Sequence, residues 1–284
     1  MREAIISATE QLAAAGVSSP EHDAKALAMH VLGLSKPSDL LLADGFDETQ
    51  AAAYLDLVAR RAQRVPLQHL TGSVGFRYIE LEVGPGVFVP RPETESVVQW
   101  AVDAVRAEGW TAPVLADLCT GSGTIAFALA NEVPGATVHA VERDPDALAW
   151  TRRNAANRIA AGDPEVHLHL GSVEESLLDM DGQFDLVASN PPYVATNEAH
   201  IPDPEVVDHD PEIALFAGED GLDVIRLVEQ AARRLLRPRG HVVVEQSDRL
   251  GRSAPAVFEQ AGWLEVTDHQ DLTGRDRFVT ARKP

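Results

Sequence analysis

The chain has 284 residues, too many for one small module and enough, at a usual domain length of about 150, for two domains. With 45% hydrophobic and 24% charged residues it can bury a sizeable core, which excludes a fibrous or wholly disordered protein. Its 44 acidic and 24 basic residues leave a net charge of -20, which repels phosphate backbones at long range and disfavours non-specific nucleic-acid binding.

Residues 1 to 65 show no strand pattern, and their Ala/Leu-rich runs repeat at helical spacing, so a small helical domain is expected there. Ser19 and Pro20 suit the N-cap and first turn of a helix that stops at Gly33, and Asp47 suits the start of another running towards Val65. Pro66 breaks that helix. Residues 66–91, punctuated by Gly72, Gly75, Gly84 and Gly86 around the alternating run Tyr78 to Val83, read as a linker with a β-hairpin.

From residue 92 to 284 helix and strand alternate, with strands at Val114 to Leu118, Thr137 to Glu142, Val166 to Leu170, Phe184 to Ser189 and His241 to Glu245. Helices are expected from Pro92, Thr124, Asp144, Gly221 and near Leu250 to Ala261. Repeated βα units imply a doubly wound, mostly parallel sheet, and the closing runs Leu264 to Asp268 and Arg277 to Ala281 suit an antiparallel hairpin at its edge. The lone Cys119 has no disulfide or zinc-site partner, which fits a reducing compartment, the cytoplasm by default. No signal core follows Met1, and the most apolar stretch, Val114 to Ala130, is interrupted by Asp117 and two glycines, so no membrane span is expected.

Three segments carry chemistry. Asp117 to Thr124, with Cys119, Thr120, Gly121, Ser122 and Gly123 inside it, lies where a buried strand meets a helix, and its glycines let a ligand approach the backbone. Glu142 ends the next strand nineteen residues beyond Gly123, where a carboxylate can accept from both hydroxyls of a ribose. The loop alone leaves a dinucleotide open, because Gly121, Gly123 and Ala126 also satisfy that spacing. Asp117 favours a ligand bearing cations, such as S-adenosylmethionine with its sulfonium and ammonium, over a pyrophosphate. Asn190-Pro191-Pro192-Tyr193 follows the fourth strand at the same sheet edge. Two prolines make that turn stiff, Asn190 Oδ1 and the Pro191 carbonyl can accept both hydrogens of a planar amino group, and Tyr193 can stack on its face.

Asn190-Pro191-Pro192-Tyr193 resembles the signature of methyltransferases acting on planar amino groups. Pro66 to Leu70 with Gly72 and Phe76, Val89 to Glu95, Asp210-Pro211-Glu212 to Asp220-Gly221-Leu222, and Asp271 with Gly274 to Arg277 narrow the resemblance to the peptide chain release factor N5-glutamine methyltransferases, the HemK/PrmC family. The resemblance implies a class I S-adenosylmethionine-dependent methyltransferase fold with a seven-stranded sheet, and a helical N-terminal domain that helps hold the substrate. That substrate is the glutamine of the Gly-Gly-Gln loop of class-1 release factors, with no direct nucleic-acid partner, and a monomer is expected. By the same resemblance Cys119 to Gly123 and Glu142 contact the cofactor, and Asn190 to Tyr193 hold the glutamine amide, Asn190 lying against both. Where the family often shows an acid then an aromatic, this chain has Ser172-Val173, leaving Val173 to cover the adenine.

Two rivals remain open at this stage, a methyltransferase of a nucleic-acid exocyclic amine and a non-catalytic cofactor-binding scaffold. His167 and His169 share one strand face but no Cys or carboxylate cluster accompanies them, so a solvated face is expected rather than a metal site. Residues 194–220, rich in Asp, Glu and Pro, read as a substrate-facing loop. Arg91 to Thr94 is equally well explained as an ordinary helix start, a role at the site resting on the resemblance, and Cys119 reads as a packing residue.

Overall fold

The computed structural model describes residues 1–196, 204–271 and 273–284, which fall into two units. The first holds α1 (Arg2–Ala14), α2 (Pro20–Leu32), α3 (Glu48–Ala62) and the short α4 (Leu67–Thr71). Leu12, Leu27, Tyr54 and Val58 are buried at its centre, and the Tyr54 hydroxyl donates to the Ala24 carbonyl at 3.0 Å, so the ring's polar end is satisfied inside the core. Gly33 ends α2 in the left-handed conformation, while Ser19 occupies the N-cap without a side-chain cap bond.

Asp47 starts α3 with a reciprocal capping box: its carboxylate accepts from the Gln50 N–H at 2.7 Å, and the Gln50 side chain accepts from the Asp47 N–H at 3.0 Å. Asp47→Ala is therefore expected to cost about 1 kcal/mol of stability, read as a lower urea midpoint at unchanged m-value. An unchanged midpoint would show that α3 is held by packing alone.

Part of the long acidic segment belongs to this helical unit. Residues 197–203 lie outside the described residues, but Pro204–His209 form α8. Glu205 on α8 accepts from Arg61 at 2.8 Å and from Arg64 at 2.7 Å, and Arg61 also donates to Asp23 at 2.7 Å. Burial alone would raise the Glu205 pKa, yet the two guanidiniums outweigh it and hold it at about 2.

The second unit follows the hairpin of β1 (Ser73–Phe76) and β2 (Ile79–Glu82) with α5 (Thr94–Glu108), β3 (Val114–Leu118), α6 (Thr124–Glu132), β4 (Thr137–Glu142), α7 (Pro145–Ala160), β5 (Val166–Leu170) and β6 (Phe184–Ser189). Then come α9 (Asp223–Leu235), β7 (Leu236–Glu245), α10 (Ser253–Gln260), β8 (Leu264–Gln270) and β9 (Asp276–Arg282). The seven-stranded sheet runs β5-β4-β3-β6-β7-β9-β8, parallel from β5 to β7, with β9 antiparallel to both its neighbours. Helices on both faces bury β6 entirely, which is why Phe184 to Ser189 alternates so little in polarity. One face packs Leu115, Leu186 and Val243 under α5 and α6; the other packs Leu118, Val187 and Val244 under α9 and α10.

Several boundaries differ from the sequence reading, among them the starts of α9 at Asp223 rather than Gly221 and of α10 at Ser253 rather than Leu250. Strand β7 begins at Leu236 rather than His241, with an irregular register against β6 that accommodates Arg237 to Gly240. Helix α5 begins at Thr94, since the chain turns over Arg91 to Glu93 before entering it. Among the described residues no helix is long and apolar enough to cross a membrane.

Candidate active site

The parallel strands β3, β4, β6 and β7 all end at one sheet edge, where open α/β sheets hold ligands. Each end carries a polar group: Asp117 in β3, Glu142 closing β4, Asn190 after β6 and Glu245 closing β7. Leu118 pairs with Val141 on one side and Ser189 on the other, so the glycine loop and the Asn190 turn leave the sheet from adjacent positions.

Between β3 and α6 the loop makes a tight left-handed path, with positive φ at Cys119 (63°), Gly121 (58°) and Gly123 (90°). At Gly123 a Cβ would sit 2.0 Å from the Phe127 ring, so only glycine fits. The loop is tied from behind: the Thr151 hydroxyl donates to the Gly121 carbonyl at 2.6 Å, and Asn154 Nδ2 to the Ser122 carbonyl at 2.9 Å. In front, the Gly121 N–H donates to Glu142 Oε2 at 2.8 Å, and the Asp144 N–H to Oε1 at 2.9 Å. Each Glu142 oxygen keeps a second lone pair for a hydroxyl. Burial raises the Glu142 pKa, and these N–H groups hold it back.

Asp117 is 1% exposed. Its Oδ2 accepts from the Thr120 hydroxyl at 2.5 Å and the Ala126 N–H at 3.0 Å, while among the described residues its Oδ1 has no hydrogen-bond partner. Burial, reinforced by the Glu142 charge, pushes this carboxyl up to about 7. A buried oxygen left without a donor costs about 1 to 3 kcal/mol, so the site is unfinished in a way that a cationic donor completes. Val173 is buried among Leu118 and Val141, beside the ends of β3 and β4.

Asn190, Pro191, Pro192 and Tyr193 form the stiff turn after β6, both prolines buried and Asn190 and Tyr193 half-buried. Asn190 Nδ2 donates to Thr94 Oγ1 at 3.3 Å, the Thr94 hydroxyl donates to Glu245 Oε2 at 2.6 Å, and the Tyr193 hydroxyl donates to Glu245 Oε1 at 3.3 Å. Burial pushes Glu245 up to about 7 against the Thr94 bond and the Arg277 charge, with Glu93 opposing its ionisation too. Burial and the Glu245 charge also raise the Tyr193 pKa, so the phenol stays a neutral donor.

The residues by themselves give Thr94 as part of a helix start, any role at the site resting on the resemblance, and Glu245 as a strand end. The available signal was a carboxylate closing the buried run Val242 to Val244 at the ligand edge, as Glu142 closes β4. Cys119 sits in the loop with its thiol pKa raised, by burial first and then by Glu142 and Asp117, which suits packing and not nucleophilic attack.

The histidine face is more organised than expected. His167 is exposed, but His169 is half-buried with its Nε2 3.0 Å from His139 Nδ1 on the next strand. Burial lowers His139 to about 4, keeping it neutral, and among the described residues no group of three or more His, Cys, Asp or Glu is placed to hold a metal ion.

Comparison with known proteins agrees with this architecture. A family model of the PrmC N-terminal domain matches residues 3–72, and one of a methyltransferase domain matches residues 113–273. The catalytic domain of hMettl16, solved with a hairpin of the MAT2A 3′UTR, is similar in fold at a TM-score of 0.54 and 16% identity, over 84% of this chain and 82% of that one. Among curated relatives, the release factor glutamine methyltransferase of Mycolicibacterium smegmatis is 46% identical over 100% of this chain and 98% of its own length. That of Streptomyces coelicolor is 54% identical over 98% of this chain and 96% of its own length. At that identity over nearly the whole of both chains, this protein belongs to the release factor glutamine methyltransferase family.

Proposed function

We propose that this chain transfers the methyl group of S-adenosyl-L-methionine to the side-chain amide nitrogen of the glutamine in the Gly-Gly-Gln loop of class-1 peptide chain release factors. The carrying observation is the pairing of Leu118 with Ser189, which sets the Asp117 loop and the Asn190 turn side by side at one sheet edge. With this reading go a cytoplasmic location and a monomeric enzyme.

The residues present fit the cofactor. Asp117 Oδ1 offers a buried acceptor to an ammonium, Glu142 offers lone pairs to the ribose hydroxyls, the backbone from Cys119 to Gly123 lets the ligand lie close, and Val173 gives an apolar wall for the adenine. When bound, it supplies a methyl on a sulfonium: the amide nitrogen forms the new N–C bond, sulfur keeps the electron pair of the broken one, and an N–H proton goes to solvent.

What the protein contributes is position and polarity. An amide nitrogen is a poor nucleophile because its lone pair is delocalised into the carbonyl, and orientation for in-line attack contributes about 7 to 11 kcal/mol in favourable cases. Asn190 Oδ1 and the Pro191 carbonyl accept the two hydrogens of the NH2 group and draw electron density towards nitrogen. Tyr193 covers the face of the group. No strong general base is required, because the nitrogen becomes acidic once alkylated.

Incubation of the full chain with methyl-labelled cofactor and a class-1 release factor is expected to label that glutamine, located by peptide mass spectrometry. Label in a DNA or RNA exocyclic amine instead, with none in the release factor, would overturn the reading in favour of a nucleic-acid target. Absence of turnover with intact cofactor binding would favour a scaffold.

A further inference from the structure

Resting on the reading above, we propose that Thr94 and Glu245 are positioning residues that fix which end of the Asn190 carboxamide faces the substrate, and so make the pocket select an amide over a carboxylate. The juxtaposition is long-range: Thr94 opens α5, Asn190 follows β6 and Glu245 closes β7. All three meet through side-chain bonds.

The two ends of an asparagine carboxamide are nearly identical in size and opposite in hydrogen-bonding sense, so shape alone does not choose between them. The choice here is imposed from outside. Ionised, Glu245 offers Oε2 as an acceptor, and the single Thr94 hydroxyl hydrogen goes to it at 2.6 Å. Towards Asn190 the threonine then has only lone pairs to show. Asn190 answers with Nδ2 at 3.3 Å, which turns Oδ1 away from Thr94. The opposite orientation would set Oδ1 against Thr94 Oγ1, acceptor against acceptor, in a place where Thr94 is 2% and Glu245 1% exposed and water cannot mediate.

Glu245 serves both arms of the site, since its Oε1 accepts from the Tyr193 hydroxyl at 3.3 Å. One buried carboxylate thereby fixes the amide end presented by Asn190 and anchors the ring of Tyr193. Substrate selectivity follows from the direction: an outward Oδ1 accepts from the NH2 of a glutamine and opposes a glutamate oxygen, whereas an outward NH2 would favour the glutamate.

The test compares binding of a release-factor domain carrying Gly-Gly-Gln with one carrying Gly-Gly-Glu, by calorimetry on the full chain saturated with S-adenosylhomocysteine. Wild type is expected to prefer the glutamine form by at least about tenfold. Thr94→Ser, which keeps the hydroxyl between Glu245 and Asn190, is expected to keep that ratio. Thr94→Val, which removes the acceptor facing Asn190, and Glu245→Met, which frees the Thr94 hydrogen to turn on Asn190, are expected to reduce it about tenfold or more. A merely structural role would weaken both ligands together and leave the ratio alone.

An unchanged ratio in Thr94→Val and Glu245→Met overturns the proposal while leaving the function standing. Loss of the ratio in Thr94→Ser also overturns it. Should one disruptive variant fail to fold by thermal unfolding, the other reads the same ratio from a different element, and a folding failure of both beside an intact Thr94→Ser counts as a purely structural role and overturns it too. Wild type that neither binds nor methylates the Gly-Gly-Gln form overturns the proposal together with the function.

Discussion

Asn190→Ala is expected to lower kcat on a release-factor substrate by about 10²- to 10³-fold, with the Kd for S-adenosylmethionine moving by less than about tenfold. The size follows from what the side chain does in the proposed mechanism. A preorganised acceptor aimed at the reacting group acts where water is excluded, and losing one such group costs about 2.7 to 4 kcal/mol of transition-state stabilisation. The small effect on cofactor follows from the proposed arrangement, in which Asp117, Glu142 and the loop between them supply most of the groups that hold it. Stability should change little, since Asn190 is half-buried and its side chain makes one 3.3 Å bond, to Thr94. Single-turnover kinetics with excess enzyme, beside calorimetric titration of the cofactor, separates the two effects. Turnover within threefold of wild type would remove Asn190 from the chemistry.

Asp117→Asn is expected to weaken cofactor binding by about 100-fold at neutral pH, equivalent to about 2.7 kcal/mol, because a buried charge-assisted hydrogen bond is replaced by a neutral one. A second signature comes from proton linkage. Burial raises the native, ligand-free Asp117 to about 7, above its unfolded value, so the native state holds that proton more tightly than the unfolded chain. The resulting stabilisation is complete below about pH 4 and is lost as pH rises through about 7, a change on the order of 4 kcal/mol. An ammonium beside Oδ1 relieves the charged carboxylate. The melting-temperature increase produced by saturating cofactor should therefore grow between about pH 5 and pH 7 in wild type, and grow less in Asp117→Asn. Equal pH dependence in the two proteins, by scanning fluorimetry, would exclude Asp117 as the ammonium's partner.

Much of the sheet was legible because its strands are short apolar runs ending in turn or acidic residues, with Phe184 to Ser189 buried throughout. The closing hairpin was legible for the same reason, with Gly274 between two strand-like runs. Where local chemistry and tertiary context part company, legibility failed. Arg237 to Gly240 looks like a break, yet β7 runs through it with an irregular register. Six residues of α8 are too few to show a period inside an acidic segment, and what holds Glu205 there is a pair of arginines about 140 positions earlier.

The site divides in the same way. The glycine loop, Glu142 and the Asn190 turn are local motifs, readable from residue type and spacing. Thr94 lies in the Val89 to Glu95 stretch that carries part of the resemblance and Glu245 in no motif, and both matter because α5, β6 and β7 bring three distant side chains together; only the hydrogen bonds reveal the order in which donors and acceptors are used. The contact of His139 with His169 is hidden likewise in the pairing of β4 with β5.

The placement of β9 between β7 and β8 has a consequence for the order in which the sheet is completed. Chain order delivers β8 first, but β8 hangs from the sheet only through β9, so it emerges with no strand to join. Until β9 follows, β7 shows one bare side carrying Val242, Val243 and Val244, the kind of ledge on which nascent chains stick to one another. The sheet is thus finished by slipping the last strand of the chain between two already made, and a chain without residues 276–284 has five parallel strands and an open side on β7.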